Sequence, residues 1–186
     1  MMRSLSRFWP LCIAVSVGLD GRAQAQWVAF NDYAPGVVTH SNATTYGPGQ
    51  SGTLKNIASG ATLGVSVVVT NVGGAGGNVA GWPTYGTPAS VAFYGFVDFG
   101  GKPDPALEMT TTNDSVTYTF NGLDPNSDYN FQGTAVRGHF NYDDRWSVFE
   151  ITGAASFTSR HTPGALTTAQ VAALTPAQVA INTGDN

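Results

Sequence analysis

The chain has 186 residues and 19.4 kDa, with 8 basic and 12 acidic side chains and a net charge of −4. Charged residues make up 11% of it, against about 25% in ordinary soluble domains, and the few scattered cations build no basic patch for nucleic acid. Lys55, Lys102, Glu108 and Glu150 are all of its lysine and glutamate, which disfavours a helical bundle, while a hydrophobic content of 42% disfavours a disordered chain.

The first predicted element is a secretory leader over residues 1–25. Arg3 and Arg7 supply the positive start, Phe8 to Leu19 the apolar stretch, and Ala23-Gln24-Ala25 a small-x-small cleavage site. Pro10, Ser16 and Gly18 interrupt the stretch, and it is too short to span a bilayer as a helix. Cleavage near Ala25 predicts a secreted or cell-surface protein. It also removes Cys12, the only cysteine. The mature chain then has no disulfide, thiolate nucleophile or thiolate metal site. No second long apolar run follows, so no membrane span is expected in the mature chain.

From residue 26 the hydrophobic period is two. Trp27 to Phe30 predicts a short strand. Leu63, Val65, Val67 and Val69 alternate with Gly64, Ser66 and Thr70. Val91, Phe93, Gly95, Val97 and Phe99 predict another strand. Val116, Tyr118 and Phe120 alternate with Ser115, Thr117, Thr119 and Asn121 as the cleanest amphipathic strand. Tyr129 to Ala135, Trp146 to Ile151 and Ala155 to Thr158 complete the set. Tyr46-Gly47-Pro48-Gly49, Gly73 to Asn78 and Pro103-Asp104-Pro105 read as turns or loops. Short strands spaced by turns, with no crossover helix between them, predict an all-β fold. The spacing fits a sandwich or a barrel, and the expected form is a single antiparallel β-sandwich over 26–162.

The C-terminal stretch 163–186 predicts a short helical tail. Leu166-Thr167-Thr168-Ala169-Gln170-Val171 recurs as Leu174-Thr175-Pro176-Ala177-Gln178-Val179, each copy with the Thr-x-x-Gln spacing of a capping box. Two copies are too few for a stacked array. The chain then stops at Gly184-Asp185-Asn186 without a closing strand, as a fragment of a longer polypeptide or a frayed natural terminus would.

Leu123-x-Pro125-x-x-x-Tyr129 has the spacing of a tyrosine corner, in which the ring hydroxyl bonds back to upstream backbone. This stretch resembles fibronectin type III modules. A longer pattern runs from Gly122-Leu123-Asp124-Pro125 through Ala135-Val136-Arg137-Gly138 and Tyr142-Asp143-Asp144-Arg145-Trp146 to Ile151-Thr152-Gly153-Ala154. It resembles jelly-roll-like domains near the N-termini of large secreted proteins of planctomycete-type bacteria. The resemblance implies a sandwich of fibronectin-III-like or jelly-roll type and further domains of the same polypeptide as partners.

Several motifs fail on inspection. Asp124-x-Asn126-x-Asp128 starts like a calcium loop, but Tyr129 and Ala135 occupy the places that need Gly and an acid. Turn chemistry explains these residues better. Gly74-x-Gly76 follows a strand but opens no helix on which a pyrophosphate could sit. No Gly-x-Ser-x-Gly elbow or P-loop is present. No cofactor is implied.

The remaining candidates are a charge cluster and a set of aromatic rings. Arg137, His139, Tyr142, Asp143, Asp144 and Arg145 crowd one hairpin, with Trp146 and Ser147 next to them. An ion-pair clamp is the first reading and a ligand or calcium site the second. Trp82 and Tyr85 sit in a Gly/Pro-rich loop, where exposed rings could stack on sugars. Trp82, Tyr85, Arg137, His139, Tyr142, Asp143 and Asp144 are therefore the candidate ligand-binding residues. Leu123, Pro125, Tyr129, Arg145 and Trp146 are the structural ones. The expected function is a non-catalytic extracellular module binding polysaccharide or cell-surface glycan, or serving adhesion. A ligand-free spacer is the alternative. A small hydrolase using His139 with Asp143 or Asp144 is the third.

Overall fold

The structure, a computed structural model, describes residues 7–9, 13–16, 27–32, 39–73, 75–78, 82, 85–86, 88–93, 95–96, 106–109, 114–133, 146–156 and 174–182. They form strands β1 (Arg7–Trp9), β2 (Ile13–Ser16), β3 (Ala29–Asn31), β4 (Ser51–Lys55), β5 (Thr62–Val72) and β6 (Ala75–Asn78). Helix α1 (Pro88–Phe93) follows. Strands β7 (Ala106–Met109), β8 (Ser115–Asn121), β9 (Asn130–Gln132), β10 (Trp146–Glu150) and β11 (Gln178–Asn182) complete the order. Every ladder between these strands is antiparallel. The described residues are almost all strand and turn, with one short helix among them.

The sheets run β4-β5-β8, β3-β2-β9, β1-β7-β6 and β10-β11. The first carries an apolar cluster on one face. β8 is exposed and half-buried at alternate residues, as period two requires. Its register pairs Val67 with Phe120 and Val69 with Tyr118, so one face of the sheet is apolar. Val67 and Val69 are fully buried there with Leu54 and Ala29. Tyr46, Leu63, Val65, Val116, Tyr118 and Phe120 pack against that cluster. The opposite face carries Thr53, Ser66, Thr70, Thr117 and Thr119. β4 lies against β5 with a bulge between Thr53 and Lys55, and the Tyr46 ring covers Gly52 so closely that no side chain fits there.

A second cluster is aromatic. Trp27, Phe30, Phe93 and Phe96 lie with ring centroids 5.1–6.3 Å apart, the spacing at which tilted and edge-on rings attract. The Trp27 indole N–H donates to the Ala92 carbonyl at 3.0 Å. These contacts seat α1 on β3. Beside them Asn31 is buried with its amide fully used. Its Oδ1 accepts from the Thr44 hydroxyl and the Tyr46 N–H, both at 2.9 Å, and its Nδ2 donates to the Tyr46 and Asp32 carbonyls. This side chain holds the loop 42–47 to β3 together with two backbone bonds, from the Thr44 N–H to the Phe30 carbonyl at 3.0 Å and from the Asp32 N–H to the Thr44 carbonyl at 2.9 Å.

The structure departs from the sequence expectations in several places, among them Ala155 and Ser156, which form a bend rather than the start of a strand. The stretch expected as a strand from Val91 begins as helix α1. In a strand Val91 and Phe93 would share a face, whereas Phe93 is buried and Val91 is 52% exposed. Pro88 suits the first helical turn, and Gly95, at φ +84°, follows the helix end. The glycine run after β5 contains a turn at Gly73 but continues as β6. The second C-terminal repeat is not helical. The Thr175 N–H does bond the Gln178 side chain, at 3.2 Å, but the chain then leaves as β11, pairing Val179 with Phe149 and Ile181 with Ser147. The first repeat lies outside the described residues, as do Pro103-Asp104-Pro105. Finally, β1 and β2 fall within the segment read as a leader.

Candidate functional site

Trp82 and Tyr85 precede α1, with Gly86 at φ +85° turning the chain between Tyr85 and the helix. The two aromatic side chains are 51% and 92% exposed. Val91, on the outer side of α1, adds an exposed apolar side chain. The inner side of the same helix is fixed by Phe93 and by the Trp27–Ala92 hydrogen bond. The helix that follows the exposed pair is thus anchored in the core. Exposed aromatic and apolar side chains on a fixed support are what a stacking surface needs.

The hairpin candidates are placed differently. Arg137, His139, Tyr142, Asp143, Asp144 and Arg145 lie outside the described residues. Trp146 opens β10 and pairs in register with Asn182. Of the seven candidate ligand residues, the structure describes Trp82 and Tyr85.

The corner around Tyr129 is described in full. The Tyr129 hydroxyl accepts a hydrogen bond from the Asp124 N–H at 2.7 Å. Leu123 is half-buried and Pro125 is exposed. Gly122, at φ +86°, turns the chain out of β8 with its α-carbon against the Gly64 carbonyl, so a side chain there would collide with β5 backbone. The Asp124 carboxylate accepts from the Asn126 N–H and side-chain amide and from the Ser127 hydroxyl. These bonds, the Asn126 backbone one foremost, hold its pKa below the ordinary carboxylate value. Its oxygens are engaged in a local turn.

Some polar residues gave no sequence signal. Asn31, Asp32, Thr44 and Asp114 are buried, and Asp114 packs beside Gly73. His40 stacks on Phe96 at 5.5 Å and 13°, its Nδ1 accepting from the Asn42 N–H at 3.2 Å. Their partners are distant in sequence or in irregular loops, beyond the reach of periodicity. Among the described residues no three His, Cys, Asp or Glu side chains gather closely enough to hold a metal. Among them, too, no helix is long and apolar enough to cross a membrane. No family model, curated protein or solved structure matches the chain.

Proposed function

We propose that the chain is a non-catalytic extracellular module that binds polysaccharide or cell-surface glycan. It is delivered by its N-terminal leader and folded as one β-sandwich of jelly-roll or fibronectin-III-like type. One observation carries the reading: Trp82 and Tyr85 turn their rings to solvent on a segment tied to the core through α1. Large aromatic side chains are ordinarily buried, and leaving them in water forgoes the burial gain. Their flat faces suit the C–H face of a sugar ring. A low charge count suits an uncharged ligand. A ligand-free spacer would be expected to bury both rings.

The test is retention on insoluble polysaccharides and on a glycan array. The full chain is expected to be retained. Trp82→Ala and Tyr85→Ala should each weaken binding about tenfold, the loss expected for one stacking contact of roughly 1.4 kcal/mol. Circular dichroism should be unchanged, since both side chains are exposed. A folded chain that no glycan retains would sink the proposal.

A further inference from the structure

We infer that the outer face of the β4-β5-β8 sheet is a second carbohydrate contact, which docks on the ordered surface of an uncharged, insoluble polysaccharide and presupposes the glycan-binding function proposed above. The register of the sheet sets hydroxyl and amide side chains in rows on this face. Thr53, Ser66 and Asn121 form one row, Ser51 and Thr119 a second on either side of Val68, and Thr70 and Thr117 a third. Ser66 and Val68 are half-buried and the others are exposed. Neighbouring rows lie two residues apart, about 7 Å, and neighbours within a row about 5 Å, as strand geometry requires. Burial of Leu54, Val67 and Val69 on the opposite face holds the strands to this spacing. Hydrogen-bonding groups, each Thr hydroxyl with a methyl group beside it, therefore recur at fixed intervals in two directions. A soluble sugar meets one or two of them at a time. The repeating hydroxyls of an ordered polysaccharide surface meet several rows at once.

Charge and size select this occupant. From Asn56 to Val97 the chain carries no Asp, Glu, Lys, Arg or His, and β8 carries none either. β5 lies within this uncharged run, and so do Trp82 and Tyr85. Lys55, at the end of β4, is the one charge on the three strands. Such a face lacks the cations that bind nucleic acids or anionic glycans. The seven residues of β8 span about 20 Å and three strands about 10 Å. The face thus covers on the order of 200 Å², against about 800 Å² that each partner gives to a standard protein interface. It is too small to hold a second copy or another protein by itself. A solid polysaccharide offers so small a face the same contact at every repeat, and neutral hydroxyls meet neutral hydroxyls.

Partition of the full chain onto microcrystalline cellulose and α-chitin, each compared with its swollen amorphous form, tests this. Stronger retention on the crystalline form of at least one is expected, equal at low and high salt because no charge pair is involved. Thr117→Lys with Thr119→Lys puts two charged stems on the face. It should abolish the preference for the crystalline form, while retention on the swollen form, carried by Trp82 and Tyr85, persists. Ser51→Lys with Thr53→Lys on β4 should do the same, and gives a second reading should the first variant misfold. Trp82→Ala, by contrast, should weaken retention on both forms. Folded lysine variants that partition like the unaltered chain would mean that this face is merely solvated, and would overturn the inference while leaving the aromatic site in place. Equal retention of the unaltered chain on crystalline and swollen forms would overturn it too. Retention on neither material in either form would remove the glycan-binding function and this contact with it.

Discussion

At the scale of single residues, the fold relies on a few polar side chains that close backbone groups left open by irregular segments. Asn31 is the clearest case, since one buried amide bonds four partners and helps hold a loop to β3. Tyr129 does the same at the exit of β8, where its hydroxyl accepts from the Asp124 N–H at 2.7 Å. Its ring also lies 6.5 Å from that of Phe131 on β9. Tyr129→Phe keeps the ring and removes the acceptor. It is therefore expected to cost about 1 kcal/mol, the net worth of one hydrogen bond of this kind. Urea denaturation measures it. An unchanged midpoint would mean that water replaces the hydroxyl at no loss.

At the scale of elements, α1 shows how burial decides between two readings of the same letters. Val91 and Phe93 fit a strand by spacing alone, but only Phe93 enters the aromatic cluster. The helix therefore predicts an asymmetry. Phe93→Ala should destabilise by roughly 3–5 kcal/mol as a core cavity, and Val91→Ala should stay within about 0.5 kcal/mol as a surface change. Comparable losses at both positions would restore the strand. Where alternation was long and one face was buried, as at Leu63 to Val69 and Val116 to Phe120, period two alone located β5 and β8. It failed where a strand is short or made of glycine. β6 is Ala-Gly-Gly-Asn and has no apolar face to display. β11 was hidden behind turn chemistry that does form at Thr175 and Gln178, because pairing with β10 outweighs a single helical turn. The exposed pair Trp82 and Tyr85 was legible from its Gly/Pro-rich setting. The anchor of the helix that follows was not, because Trp27 and Ala92 are 65 residues apart.

At the scale of the whole molecule, the leader and the fold make competing claims on the first 25 residues. β2 lies between β3 and β9 and completes their sheet, and β1 extends β7. Processing after Ala25 would remove both strands. Trp27, Ala29, Phe30, Leu54, Ile57, Val67, Val69 and Phe93 form a buried hydrophobic set beyond residue 25. Their two clusters meet at β3, through Ala29 on one side and Phe30 on the other. β3 is also held from outside its own sheet, by the Asn31 bonds and by the Ile57 N–H to the Val28 carbonyl at 2.9 Å. β2 pairs with β3 over three residues. A chain beginning at Gln26 is therefore expected to fold, with a cooperative thermal transition and a near-ultraviolet signal from the packed Trp27 ring. Its melting temperature should lie below that of the full chain, because the backbone groups of β3 and β9 that faced β2 turn to water. If the chain from Gln26 has no cooperative transition, β2 is an integral strand. The N-terminal segment is then part of the mature protein rather than a leader.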